Sequence, residues 1–246
     1  MIRFPFFKLP SRVVLGLLLS FAASASAAPP ASKDGLSRAE RRQGFVSLFD
    51  GRTLQGWHGY RKQGQPIEGW EVIDGAIVRT GAGGDLVSDR NYGDFELRID
   101  WKISPGGNSG IFYRGDESTG NESEAEIYHT AIEYQVLDND RHPDGKNGRD
   151  RWASALYGLY APDKIATRPV GEWNQTRIVV RGNHVEHLLN GQKVVDCEIG
   201  SPDWKTRVAA SKFKEWPSFA TLRNGVIGLQ DHGDAVSYRN IRIREL

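Results

Sequence analysis

One cysteine and one methionine occur in 246 residues. A lone thiol, Cys197, closes no intramolecular disulfide and cannot build a cysteine-based zinc module, so the fold must rest on its core. Charge of one sign is missing too. The chain has 32 basic and 31 acidic residues, or 29 against 31 once Arg3, Lys8 and Arg12 near the start are set aside. A nucleic acid or a membrane surface would call for a basic face, so neither is expected as a partner. The apolar run from Val13 to Ala23 is too short to cross a bilayer.

That run follows three basic residues and precedes the small triplet Ala25-Ser26-Ala27, the pattern of a secretory signal peptide cleaved after Ala27. No cysteine follows it to carry a lipid. The sequence predicts a signal peptide over 1–27, a linker or short helix over 28–43, and one domain over 44–246 that is periplasmic or secreted and free of the membrane after cleavage.

What the domain does contain is short alternating segments separated by glycine-rich turns. In FELRIDWKI (95–103), Phe95, Leu97, Ile99, Trp101 and Ile103 share one face, with Glu96, Arg98, Asp100 and Lys102 on the other, as in a sheet with one buried and one wet side. Asp74-Gly75 and Asn190-Gly191 are tight-turn dipeptides between strand-like runs. About a dozen such strands imply an all-β sandwich of two antiparallel sheets. The segment DWKTRVAASKFKEW (203–216) has helix-forming residues and is expected as a short helical insertion. Two long polar loops, 115–130 and 139–151, are of the kind that often carries function.

Alternation also sorts the polar residues. In NSGIFYR (108–114), Ile111 and Tyr113 point inward, leaving Asn108, Gly110, Phe112 and Arg114 outward. In IEYQVL (132–137), Glu133 and Gln135 oppose the apolar set. In GVIGLQDH (225–232), Gln230 lies opposite Ile227 and Leu229, with His232 just past the strand end. Three strands thus offer polar groups to one surface, which suggests a shared site. Gly110 would let a ligand approach the backbone. A plainer reading of Arg114 and Glu133 is a cross-strand ion pair.

The motifs FVSLFDGRTLQGWHG, GGNSGIFYRG, IEYQVLDN, ALYGLYAP, GEWNQTRIVVRGNHVEHLLNG and IGLQDHGDAVSYRNIRI resemble, in order from Gly44 to Leu246, the 3-keto-disaccharide hydrolase family, long catalogued as a domain of unknown function. The resemblance implies a concanavalin A-like jelly roll. It also implies activity on glycosides already oxidised to a ketone at C3 by a partner sugar 3-dehydrogenase. The ketone acidifies the C2 proton; its loss lets the C1 substituent depart, and water then adds. Such chemistry needs a base near C2, donors for the enolate oxygen and an acid for the leaving oxygen. Glu133 and His232 are the candidates for base and acid, in either order. Arg114, Gln135 and Asn108 are candidate donors, and Asp138, Tyr157 and Gln230 complete the expected substrate contacts.

Two other readings compete. A retaining hydrolase would use Glu133 and Asp138, although Gln135 stands where the carboxylate motif of jelly-roll glucanases has an acid. A lectin-like module would use Trp57, Trp70 and Trp152 as stacking platforms. No cofactor is expected. His184 and His187 in HVEH fall on opposite faces of a strand, and Asp138, Asp140 and Asp144 offer oxygens of the kind calcium takes without amounting to a predicted site.

Overall fold

The computed structural model describes residues 1–2, 35–118 and 125–246. The chain divides into two compact units, Met1–Pro30 and Ala31–Leu246. Apart from Met1 and Ile2, the expected signal peptide lies outside the described residues, as do residues 119–124. Among the described residues no helix is long and apolar enough to cross a membrane.

The second unit carries thirteen strands among its described residues: β1 (Val46–Ser47), β2 (Trp57–Gly59), β3 (Trp70–Ile73), β4 (Ala76–Arg79), β5 (Leu86–Ser88), β6 (Phe95–Ile103), β7 (Asn108–Gly115), β8 (Ile132–Leu137), β9 (Asn174–Arg181), β10 (His184–Leu189), β11 (Gln192–Glu198), β12 (Val226–Leu229) and β13 (Val236–Glu245). One sheet runs β11-β10-β9-β6-β13-β4-β3, with β1 also paired to β13; the other runs β2-β5-β12-β7-β8. Pairing is antiparallel throughout. Both predicted hairpin turns form. Asp74 and Gly75 (φ 50 and 75°) and Asn190 and Gly191 (φ 49 and 81°) have the paired positive φ values that a two-residue turn between right-twisted strands requires.

Phe95, Leu97, Ile99 and Trp101 from one sheet and Ile132, Tyr134, Ile227 and Leu229 from the other meet in a single buried core. Two aromatic rings proposed as sugar platforms belong to this interior. Trp57 and Trp70 are 4% and 3% exposed, and each spends its indole N–H on a backbone carbonyl, of Leu48 and Gly84. The outer face of β6 departs from the expected wet surface. Glu96 is fully buried beneath Arg98, Arg177 and Arg244. Burial opposes its charge, but hydrogen bonds from Arg244 and Arg98 and the nearby Arg177 outweigh it and hold the carboxyl below its usual range.

Strand β7 is where alternation fails. Phe112 pairs with Gly228 and Gly115 with Val226, so Tyr113 and Arg114 together oppose Ile227 in a bulge. Arg114 takes a left-handed φ of 57° there. The extra residue turns its side chain away from the face that Asn108 and Gly110 share. At the far edge of the larger sheet, β11 carries Cys197, 7% exposed, whose thiol burial pushes up to about 12.

A short helix α1 (Arg38–Arg42) precedes β1, and the insertion between β11 and β12 is helix α2 (Pro202–Ala210) followed by a 3₁₀ turn (Lys212–Glu215). Ser201 caps α2 by accepting the Trp204 N–H, and Pro202 opens its first turn, where no N–H partner is needed. Trp204 anchors the insertion by stacking on Phe219 and Tyr160.

Candidate active site

Asn108 on β7, Glu133 and Gln135 on β8, and Gln230 and His232 after β12 form the polar part of one cavity of about 400 Å³. Tyr128, Tyr157, Lys212 and Trp216 complete it from the connecting segments. Its volume lies in the range of about 300–1,000 Å³ usual for small-molecule sites. Six of the eight residues selected from sequence are therefore neighbours: Asn108, Glu133, Gln135, Tyr157, Gln230 and His232.

The strand-borne floor is built to meet something polar. Asn108 is 3% and Gln135 0% exposed, yet among the described residues Asn108 Oδ1, Gln135 Nε2 and Gln230 Oε1 have no hydrogen-bond partner. Leaving a buried amide atom unpaired costs about 1–3 kcal/mol, so three around one cavity mark a surface shaped for an oxygen-rich ligand. Each backbone is fixed by the ladder or by its neighbours, as when Gln230 N–H donates to Gly110 O at 3.0 Å.

Glu133 is 7% exposed, and its carboxyl accepts no hydrogen bond among the described residues. Burial is the main reason that it is pushed up to about 8; the negative surroundings of Asp85 and Asp144 add to this, while Lys212 and Arg151 oppose it. Asp85, itself pushed up by burial to about 7, accepts the Asp231 N–H at 2.8 Å. Gly110 has a different use from the one its sequence suggested. A Cβ there would run into the carboxyl of Glu133, with Cδ and Cγ at 2.9 Å, so the glycine makes room for the acid itself.

Lys212 was invisible to strand-based sorting because it sits in the helical insertion. Its ammonium lies 4.8–5.8 Å from the ring centres of Tyr157, Tyr128, Phe213 and Trp216 and forms no ion pair within 4.0 Å among the described residues. Burial lowers its pKa despite the pull of Glu133. Aromatic faces hold a cation without neutralising it, which leaves this charge available to a ligand. Trp216 and Tyr128 sit edge to face at 5.5 Å and supply the apolar wall. Tyr157 is locked by donating to Asp144 Oδ2 at 2.8 Å and accepting from Arg151 at 2.7 Å.

Two expectations are corrected. Arg114 does not line the cavity: the bulge sends its guanidinium to Gly182 O (2.8 Å), Gly93 O and Asp94 Oδ1 (both 3.3 Å), where it ties the ends of the two sheets together. It makes no ion pair with Glu133 either. Asp138 accepts the N–H groups of Gly106 (2.7 Å), Asp140 and Arg141, and so shapes the following loop. It faces a different hollow, together with Trp152. The retaining-hydrolase reading thereby loses its second carboxylate from this cavity.

His232 lies 3.3 Å from the Asn108 amide and 5.8 Å, ring to ring, from His142. Desolvation at the cavity edge and the neighbouring His142 lower its pKa. Among the described residues two groups place three ligand atoms within 4.8 Å of one another: His142, His232 and Asp234, and the surface set His184, Glu186 and Asp196. In the second, Lys193 already bridges Glu186 and Asp196. His187 is not part of it, being fully buried and hydrogen-bonded to Tyr113. The trio Asp138, Asp140 and Asp144 forms no such group.

The profile of the 3-keto-alpha-glucoside-1,2-lyase-like domain matches residues 44–244. A protein of Bacteroides thetaiotaomicron named 3-keto-disaccharide hydrolase is 40% identical over 242 residues, covering 88% of this chain and 83% of its own. A candidate glycosyl hydrolase from Parabacteroides distasonis, solved at 1.70 Å, is 32% identical with a TM-score of 0.80, over 87% of this chain and 100% of that one. A second from the same organism is 26% identical with a TM-score of 0.62, over 82% and 99%.

Proposed function

The chain belongs to the 3-keto-alpha-glucoside-1,2-lyase-like family, and from that premise we propose that it is a glycosidase that cleaves 3-keto glycosides by elimination and hydration. The observation that carries this reading is the buried, unbonded carboxyl of Glu133 on a floor of unpartnered amides. A carboxyl pushed up to about 8 is a stronger base than an ordinary one, and the C2–H of a 3-keto sugar is acidic enough to need only such a base.

In this reading Glu133 takes the C2 proton. The C–H electron pair forms a C2–C3 double bond, and the carbonyl pair moves onto the C3 oxygen. The enolate then re-forms the ketone and expels the C1 oxygen, which takes the proton back from the now neutral Glu133, leaving a C1–C2 double bond to which water adds. Lys212 supplies positive charge on the aromatic side, in the place once expected of Arg114, and the amides of Asn108, Gln135 and Gln230 hold ring hydroxyls. The C3 ketone has to be made by an oxidation at that carbon, which is the reason to propose a sugar 3-dehydrogenase as the preceding enzyme. The leading apolar segment supports a reading in which the enzyme meets its substrate in the periplasm or outside the cell.

The test is a matched pair, a disaccharide and its C3-oxidised form, followed by product analysis. We expect cleavage of the oxidised sugar alone. Equal cleavage of both would overturn the elimination route, and binding without cleavage of either would make the protein a lectin-like module.

A further inference from the structure

With Arg114 gone from the cavity, the developing enolate faces neutral amides on the floor and, among the described lining residues, one ammonium on the wall. The edge of the cavity nearest Asn108 carries another device. His142 comes from the loop after β8, and His232 and Asp234 from the loop after β12, yet their ligand atoms converge within 4.8 Å. Asp234 is oriented by accepting the Asn108 N–H at 3.0 Å on one carboxylate oxygen. Asn108 has an unpartnered, buried Oδ1, and its amide lies 3.3 Å from His232 Nε2. An amide can present either its oxygen or its nitrogen to a neighbour by a half-turn about its last side-chain bond. Rotating this one by half a turn brings the orphaned oxygen beside the ring nitrogen. Two donors on one ion with bonds of about 2.0–2.2 Å lie about 3.0–3.5 Å apart, which is the separation found.

We propose that His142, His232 and Asp234, with the side-chain oxygen of Asn108, bind a divalent first-row transition-metal ion at the cavity edge, open to the ketone oxygen of the substrate. This rests on the 3-keto glycoside reading for its catalytic role, though not for the binding itself. Two imidazoles and one carboxylate select zinc, manganese or cobalt over calcium or magnesium, which prefer oxygen alone. The ion acts as a Lewis acid. When the C2–H bond breaks, the carbonyl electron pair moves onto an oxygen already held by a dication, and no oxidant or reductant is needed. His232 becomes a ligand rather than a proton carrier. His142 Nδ1 accepts the Asp144 N–H at 3.1 Å, so ligation through Nε2 moves the ring proton and gives up that single hydrogen bond of a short turn.

The experiment uses the whole protein, dialysed against EDTA and titrated calorimetrically with zinc and with manganese chloride in the absence of sugar. We expect one ion per chain and a rise in melting temperature, with affinity reduced 100-fold or more in His142→Ala and Asp234→Asn. Asp234→Asn keeps an acceptor for the Asn108 N–H and so preserves the loop. Asp196→Asn, in the surface set, should bind like the wild type. Cobalt absorption bands from the wild type give a second readout that needs no variant. No binding of any of these ions by folded wild-type protein overturns the proposal, as does unchanged affinity in both cavity variants. If the ion binds but no 3-keto sugar is cleaved, the glycoside reading fails alone. If EDTA-treated enzyme cleaves at full rate, the metal's catalytic role fails alone.

Discussion

Glu133 makes the folded chain less stable at neutral pH than it would be without an acid there. Its pKa rises from 4.5 unfolded to about 8 folded, so between those values the unfolded chain gives up a proton that the folded one keeps. Stability is fully present below about 4.5 and declines as pH rises to about 8. Glu133→Gln removes that penalty. We expect the variant to melt above the wild type at pH 7 and level with it at pH 4, while cleavage falls roughly 100-fold or more through loss of the base. As base, Glu133 must be ionised, so the wild-type rate should climb with pH toward about 8. Gly110→Ala pushes the same carboxyl aside; kcat should drop about 100-fold, as for a reactive group displaced by about an ångström. Arg114→Ala should behave in the opposite manner. It removes three contacts at the sheet ends and should cost about 2–4 kcal/mol in denaturant unfolding, with kcat of the folded enzyme unchanged.

Among the elements, β6 joins a legible face to an illegible one. Its inward residues were readable because period-two alternation and burial are the same statement on a sheet lying over a core. The outward Glu96 was read as wet because its three arginines come from β6, β9 and β13, and alternation within one strand says nothing of what stands beside it. Glu96→Ala leaves those arginines facing one another. We expect a loss on the order of 2–3 kcal/mol at pH 7, less than for a deep pair because the guanidinium groups are partly solvated. A carboxyl held below its usual range stabilises above the unfolded value and stops doing so as pH falls through the folded one. Urea melts of wild type and variant should therefore draw together as pH falls below about 4.5. Arg114 marks a second limit, since a bulge inserts one residue and every later side chain changes face. Nothing in RG at 114–115 announces the slip before the partner strand is known.

At the scale of the whole molecule, the sandwich was legible and the cavity only half so. Strand-borne floor residues such as Glu133 and Gln135 follow a period that can be counted along the chain. Lys212, Trp216, Tyr128 and His142 arrive from 3₁₀ turns and loops, whose positions depend on where the chain happens to cross the sheet. Trp57 and Trp70 misled for a related reason, since a large ring suits a sugar and a core equally well. The same architecture makes Cys197 more than a missing disulfide. It is the single thiol of the protein, shut against the core on the outermost strand β11 and unreactive as a protonated group. A thiol-specific dye added to native enzyme can therefore report one event only, the detachment of that margin from its neighbour. The rate of colour development becomes a clock for peeling of the sheet, and it should run independently of any sugar or ion seated on the opposite layer.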